Sequence, residues 1–198
     1  MKRNIIIFGS SRSGKTTLAK KIAKEFNVSY IAVDRIVTGF QYGMPELGIN
    51  HLDRTGKAAE SLSPFLLNFI KSLDSNSLKK DDIFYVFEGA YFNIEECFKF
   101  LKKRNILIII LLQTKLNEYE IFNNIRKYDC KSEWTSEMSD IDLVNYCKNI
   151  VNFNKYIKSI CEHQNFKYYD TSFNRNEIID KIIDEIREDF NNEKNFEV

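Results

Sequence analysis

Nine consecutive residues near the start of the chain, residues 9–17, restrict the fold more than any other part of the sequence. They read GSSRSGKTT and fit the pattern G-x-x-x-x-G-K-[ST] without a gap. Gly9, Gly14, Lys15 and Thr16 hold the fixed positions. An apolar run, residues 5–8, comes before this stretch and predicts a strand. A helical pattern, residues 18–26, follows it.

The strand, the glycine-rich turn and the helix together indicate a site for polyphosphate. Glycines let the backbone turn tightly and bring successive N–H groups against phosphate oxygens. The helix that begins there directs its unpaired N–H groups and the positive end of its dipole at the same anion. We expect Lys15 to reach the β- and γ-phosphates and the Thr16 hydroxyl to bind Mg²⁺. The residues expected to bind the nucleotide here are Gly9, Ser10, Ser11, Arg12, Ser13, Gly14, Lys15, Thr16 and Thr17.

Composition is typical of a soluble globular protein and limits the kinds of partner. The 198 residues suffice for one α/β domain with a proper core. A formal net charge of +1 gives no indication of a nucleic-acid or membrane partner. The apolar runs are far shorter than the roughly 18 residues of a membrane helix. The four cysteines form no C-x-x-C pair, which favours reduced thiols in a cytoplasmic protein.

Strand and helix patterns alternate along the chain, which predicts a single parallel α/β domain over residues 1–190 and a frayed tail over residues 191–198. Residues 35–56 hold many of the glycines and are expected to form the largest irregular region, where a substrate would bind. The predicted strands are residues 2–8, 28–33, 83–87, 105–112 and 166–169. The predicted helices are residues 15–26, 57–73, 94–103, 116–128, 141–163 and 177–190.

Ligands of such sheets bind beyond the carboxyl ends of the strands, and this rule selects Asp34, Glu88, Gln113 and residues 170–176. Asp34 is predicted to bind an acceptor hydroxyl or a Mg²⁺-bound water, and the alternative is a helix N-cap. Glu88 is predicted to hold Mg²⁺ or to accept the proton of an attacking hydroxyl, and the alternative is a structural turn.

Several cations and aromatic residues are candidates for the same site. Arg126, on the helix after the fourth strand, is expected to reach the transferring phosphoryl group from a mobile lid, residues 126–140, unless it is a solvated helix end. Residues 170–175 are expected to border the nucleotide base, with Arg175 stacking on it, unless they form only a helix-capping turn with Asn174 as the N-cap. Trp134 and Lys131 are weaker candidates in the lid. Residues expected in the acceptor region are Arg35, Arg54 and Lys57, with Tyr91 and Phe92 either lining the pocket or packing in the core.

The chain resembles the adenylate-kinase-like small P-loop kinases in five stretches. These are GSSRSGKT, Asp34 after the second strand, FEG after the third, an arginine after the fourth and YDTS after the fifth. That group includes nucleoside monophosphate kinases and shikimate kinase. The resemblance implies a three-layer fold, a five-stranded parallel sheet in the order 2-3-1-4-5 with helices on both faces. It also implies an acceptor-binding insertion over residues 35–73, the lid, and ATP with Mg²⁺ as cofactors.

The chain departs from adenylate kinases in two places. They carry a DGFPR-type motif after the third strand, whereas this chain reads EGAYF, so the arginine that would hold the acceptor's phosphate is missing. The predicted lid has one clear arginine rather than a pair. Both departures favour a small-molecule acceptor other than a nucleoside monophosphate.

The sequence therefore predicts an ATP-dependent phosphotransferase that acts on a small acceptor. The expected catalytic residues are Lys15, Asp34, Glu88 and Arg126, with Thr16 and Glu88 at the metal. The expected partners are a nucleoside triphosphate and the acceptor, with no nucleic acid and no membrane, for a monomer or homodimer. Two alternatives stay open, an NTPase switch that hydrolyses nucleotide without an acceptor and a nucleotide-binding protein without catalysis.

Overall fold

A computed structural model describes residues 3–50, 57–73, 84–101, 106–131 and 133–194. The strands are β1 Asn4–Gly9, β2 Ser29–Ala32, β3 Tyr85–Gly89, β4 Ile106–Leu112 and β5 Tyr169–Asp170. The α-helices are α1 Lys15–Phe26, α2 Val33–Gly43, α3 Lys57–Leu73, α4 Ile94–Leu101, α5 Glu118–Tyr128, α6 Asp140–His163 and α7 Arg175–Lys194. A short 3₁₀ helix, Pro45–Leu47, follows α2.

The described strands form one parallel sheet in the order β2-β3-β1-β4-β5, which confirms the predicted order. The central strand β1 pairs with β3 and β4 along its two edges, and helices bury both of its faces. Ile7 pairs in register with Glu88 of β3 and with Ile109 of β4. The carboxyl ends of these three strands therefore lie at one edge of the sheet.

Alternate residues of β1 pack into two separate cores, as the two-residue period of a strand requires. Ile5 and Ile7 pack with residues of α1 and α7 on one face, and Ile6 and Phe8 pack with residues of α2, α3, α4 and α6 on the other. A smaller apolar cluster joins α5 to α6. Within the described part of the chain, no helix has both the length and the apolar character to span a membrane.

The structure corrects the predicted irregular region, because its first part is helix α2. Apolar residues recur at helical spacing there, and Val33 and Val37 are buried. This burial outweighs the cost of Gly39 inside the helix. Asp34 consequently lies in the first turn of α2 instead of in a loop after a strand. Residues 51–56, which include Arg54, lie outside the described residues.

Two other predicted boundaries were wrong near the end of the chain. Strand β5 is only Tyr169–Asp170, so of the predicted strand 166–169 only Tyr169 pairs with β4. Helix α7 continues to Lys194, which places residues 191–194 in a helix and not in a frayed tail. The ring of Phe190 packs edge-on against Phe26 and Phe84, and this contact holds the last turns of α7 on the sheet layer.

Candidate functional site

The loop between β1 and α1 has a backbone that only glycine accommodates at its two ends. Gly9 has a φ of 150°, and a Cβ added there would lie 1.9 Å from the carbonyl oxygen of Leu111. Gly14 has a φ of 97°, and its added Cβ would lie 2.9 Å from Cδ of Arg175. The two glycines of the sequence pattern thus allow the loop to lie against β4 and α7.

Hydrogen bonds inside this loop keep it compact. Lys15 Nζ donates to the Ser10 carbonyl at 2.7 Å, and Ser13 Oγ donates to the same oxygen at 2.9 Å. From outside, the buried Thr171 hydroxyl donates to the Ser13 carbonyl at 2.9 Å. No side chain caps the N-terminus of α1, because Gly14 occupies the N-cap, and the first turn of α1 has no acidic residue. The N-terminus of α1 is therefore electrostatically suited to an anion.

Glu88, at the carboxyl end of β3, lies directly beside this loop. Its carboxylate Oε1 accepts hydrogen bonds from Thr16 Oγ1 at 3.0 Å and from the Tyr30 hydroxyl at 2.9 Å, and the residue is only 5% exposed. Burial, together with the charge of Glu88, raises the pKa of Tyr30, so Tyr30 remains a donor. A hydroxyl and a carboxylate this close supply the hard oxygen ligands that Mg²⁺ prefers.

A cavity of about 640 Å³ opens over the loop and Glu88. Asp34, Arg35 and Thr38 reach it from α2, and Tyr30 reaches it from β2. Glu133 and Trp134 reach it from the opposite side, from residues 129–139 between α5 and α6. We call the described residues 129–131 and 133–139 the α5–α6 loop. The complete lining is Ser11, Arg12, Gly14, Lys15, Thr16, Thr17, Tyr30, Ala32, Asp34, Arg35, Thr38, Glu88, Ala90, Glu133, Trp134 and Arg175.

A second cavity of about 390 Å³ adjoins the loop on the side of β4 and β5. Gln113 and residues of α5, including Asn124 and Tyr128, line it together with Thr171 and Ser172. Arg12 and Arg175 line both cavities, so the two spaces meet at these side chains. An elongated ligand with a polyphosphate end and a ring end would fill the two cavities across this junction.

Asp170, which the sheet rule also selected, is part of a turn that shapes the second cavity. Burial opposes ionisation of Asp170, but hydrogen bonds from Ser172 and from the Thr114 hydroxyl at 2.6 Å prevail and lower its pKa. The backbone N–H of Ser172 donates to the same carboxylate at 2.9 Å. Asp170 therefore joins the end of β5 to the segment after β4.

Arg126 lies elsewhere than predicted. Its guanidinium donates to the Met138 carbonyl at 2.7 Å, to the Thr135 carbonyl at 3.4 Å and to Asp140 Oδ1 at 2.7 Å. Among the described residues that line the two cavities, Arg126 is absent. In this structure Arg126 fastens the α5–α6 loop to the start of α6, and the cations at the cavity junction are Arg12 and Arg175.

The remaining predicted residues divide between the site and the core. Tyr91 and Phe92 are 1% and 3% exposed and pack in the core, which excludes them from the acceptor cavity. Sequence reasoning missed Tyr30 and Glu133 altogether. Tyr30 stands inside a short strand, and only the pairing of β2 with β3 brings it to Glu88. Arg54 and the side chain of Lys57 lie outside the described residues.

Comparison with known proteins bears on the fold. No protein-family model matches the chain. The adenylate kinase of Parabacteroides distasonis is 25% identical over 123 residues, which are 62% of this chain and 65% of that enzyme, so the match spans less than two thirds of its length. Shikimate kinase from Bacteroides thetaiotaomicron has a TM-score of 0.54 at 16% identity, over 93% of this chain and 98% of that one.

A gluconokinase from Sinorhizobium meliloti has a TM-score of 0.51 at 14% identity, over 89% of this chain and 86% of that one. At these identities the structural likeness establishes the fold alone. The predicted P-loop kinase fold is confirmed. The predicted resemblance to the adenylate-kinase-like small P-loop kinases is confirmed as well.

Proposed function

We propose that the chain is an ATP-dependent phosphotransferase that moves the γ-phosphoryl group of ATP to a small acceptor. The observation that carries this proposal is the continuity of the larger cavity. In one space it joins residues 9–17, which we call the phosphate loop, the Thr16–Glu88 pair and the polar side chains at the start of α2. A nucleotide held by the loop would thus present its terminal phosphate to an acceptor held beside Asp34.

Catalysis would consist of positioning and charge neutralisation, because phosphoryl transfer needs little covalent chemistry from the protein. The N–H groups of the loop and Lys15 would hold the phosphates. A bound Mg²⁺ would neutralise phosphate charge, and Thr16 and Glu88 are the residues that would hold it. Asp34, in the first turn of α2, would orient the acceptor hydroxyl and accept its proton.

The α2 side of the cavity determines which acceptors are compatible with this proposal. Arg35 and Thr38 offer a cation and a hydroxyl beside Asp34. Ala90 lines the cavity directly after β3, in the segment where adenylate kinases carry the arginine for the acceptor's phosphate. We therefore propose a hydroxylated small molecule as acceptor, in preference to a nucleoside monophosphate.

The test is phosphate transfer from ATP with Mg²⁺ to a panel of hydroxylated and phosphorylated metabolites, read as ADP formed with and without each acceptor. We expect ADP formation to depend on one class of acceptor. Lys15→Ala should lower turnover by about 100-fold or more, because the phosphates lose their cation. Lys20→Ala, at an exposed lysine of the same helix, is the matched control and should leave turnover unchanged.

Either of two results would refute the proposal. Equal ADP formation with and without every acceptor, with phosphate released to water, would instead indicate an NTPase switch. An unchanged rate in Lys15→Ala would show that the phosphate loop does not carry the reaction at all.

A further inference from the structure

Arg12 of the phosphate loop is bound by acidic and hydroxyl groups of the α5–α6 loop. Its guanidinium contacts Asp129 through two nitrogens, at 2.9 and 3.0 Å, which is the paired geometry of a strong arginine–carboxylate contact. It also donates to Thr135 Oγ1 at 2.6 Å and lies 3.4 Å from Glu133 Oε2. The Thr135 hydroxyl in turn donates to Asp129.

The burial and backbone of this cluster make it more than a surface ion pair. The Asp129 side chain is 7% exposed and Thr135 is fully buried, so the contacts are shielded from solvent. Arg12 has a φ of 65°, which a non-glycine residue adopts only where its surroundings compensate for the strain. The contacts with the α5–α6 loop provide that compensation.

The cluster stands where the two cavities meet. A nucleotide with its phosphates on the loop and its base in the second cavity would pass directly by Arg12. The guanidinium has five N–H donors, and Asp129, Thr135 and Glu133 already engage one side of it. Phosphate oxygens would compete for those same donors. Glu133 lines the larger cavity, which we call the phosphate cavity, and its carboxylate would also repel a triphosphate.

We propose that Arg12 exchanges these partners for the phosphates of a bound nucleotide, and that the exchange releases the α5–α6 loop from the phosphate loop, while Arg126 still holds it to α6. The inference rests on the proposed nucleotide site. The cation, Arg12, lies in the phosphate loop, and the anions, Asp129 and Glu133, lie in the α5–α6 loop. Asp129 and Glu133 thus act as competitors of the nucleotide, and the position of the α5–α6 loop depends on whether the site is filled.

The chain contains its own reporter for this exchange. Trp134 is the only tryptophan in the sequence and stands between Glu133 and Thr135. It is 40% exposed, lines the phosphate cavity and packs edge-on against Tyr146 with ring centroids 5.0 Å apart. Movement of the α5–α6 loop would change these surroundings and therefore the emission of Trp134.

The test compares Asp129→Asn and Glu133→Gln with the control Glu137→Gln, which removes an equal charge from the same loop away from the described Arg12 contacts. The affinity for ATP with Mg²⁺ is measured by calorimetry, and Trp134 emission is recorded with and without ATP. We expect the first two variants to bind ATP about fivefold more tightly or better, since a competitor is lost. Glu137→Gln should stay within about twofold of the wild type.

In the wild type, saturating ATP should shift Trp134 emission, and the two variants should show part of that shift before ATP is added. Unchanged or weakened ATP binding in Glu133→Gln, with wild-type binding intact, would overturn the exchange and leave the proposed function standing. Glu133 is 43% exposed at its side chain, so this variant folds even if Asp129→Asn does not. A wild type that does not bind ATP would overturn both.

Discussion

At the scale of single residues, Glu88 combines burial with a charge that the proposed reaction needs. Glu88→Gln keeps a side-chain oxygen that can accept the hydrogen bonds of Thr16 and Tyr30, so the fold should survive. The carboxylate charge at the metal position is lost. We therefore expect turnover to fall about 100-fold or more, with a much smaller change in the affinity for ATP, as measured by steady-state kinetics and calorimetry.

Tyr30→Phe is the matched variant for this measurement, because it removes one hydrogen bond to Glu88 and leaves the carboxylate in place. Its turnover should fall less than that of Glu88→Gln. A large drop in the melting temperature of Glu88→Gln would show that Glu88 is a structural turn residue. Equal losses in the two variants would mean that orientation of Glu88, and not its charge, controls the rate.

The site residues that were predictable from sequence are those whose spacing the chemistry itself dictates. Lys15 and Thr16 must follow the second glycine of the loop, and Glu88 stands at the end of an apolar strand. The partners of Arg12 were not predictable in this way. Asp129 is 117 residues from Arg12, and the tertiary fold brings the two together because β1 pairs with β4, the strand that precedes α5.

At the scale of secondary-structure elements, the junction of β1 with the phosphate loop depends on a close approach to β4. A Cβ at Gly9 would collide with the Leu111 carbonyl, which also accepts the Ser10 N–H at 3.3 Å. Gly9→Ala should therefore lower the free energy of unfolding by more than about 2 kcal/mol, measured by chemical denaturation.

Gly39→Ala is the control for this substitution. Gly39 lies inside α2, and nothing stands within 4 Å of its added Cβ. An alanine there should raise the stability by about 0.5–1 kcal/mol, because glycine is a poor helix former. If Gly9→Ala were as stable as the wild type, the tight packing of the loop on β4 would be wrong.

The elements that could be predicted are those whose apolar pattern has few alternative interpretations. Strands β1 and β4 are nearly continuous apolar runs, and a run of that length buried on both faces has few alternatives to a central parallel strand. Helix α2 was missed because its two glycines indicate a loop, whereas the burial of Val33 and Val37 decides for a helix. Local propensity was overruled there by tertiary packing.

At the scale of the whole molecule, three of the four cysteines report on global unfolding. Cys97, Cys147 and Cys161 are buried, and Cys130 is exposed in the α5–α6 loop. Burial raises the pKa of Cys97 strongly and raises the pKa values of Cys147 and Cys161 to about 11, so these thiols stay protonated and unreactive. A thiol reagent should label Cys130 quickly and the other three only as the protein opens.

Nucleotide binding should slow the labelling of the three buried thiols far more than the labelling of Cys130. A ligand at 100 times its dissociation constant stabilises the folded state by about 2.7 kcal/mol, so labelling through global opening should become about 100-fold slower with saturating ATP and Mg²⁺.

Cys130→Ser should abolish the fast phase of labelling, and Lys15→Ala should abolish the effect of ATP on the slow phase. Fast labelling of all four thiols without ATP would show that the core containing Cys97 and Cys161 and the α5–α6 cluster containing Cys147 are not closed as described. A slow phase that ATP leaves unchanged would show that the phosphate loop does not couple nucleotide to the stability of the fold.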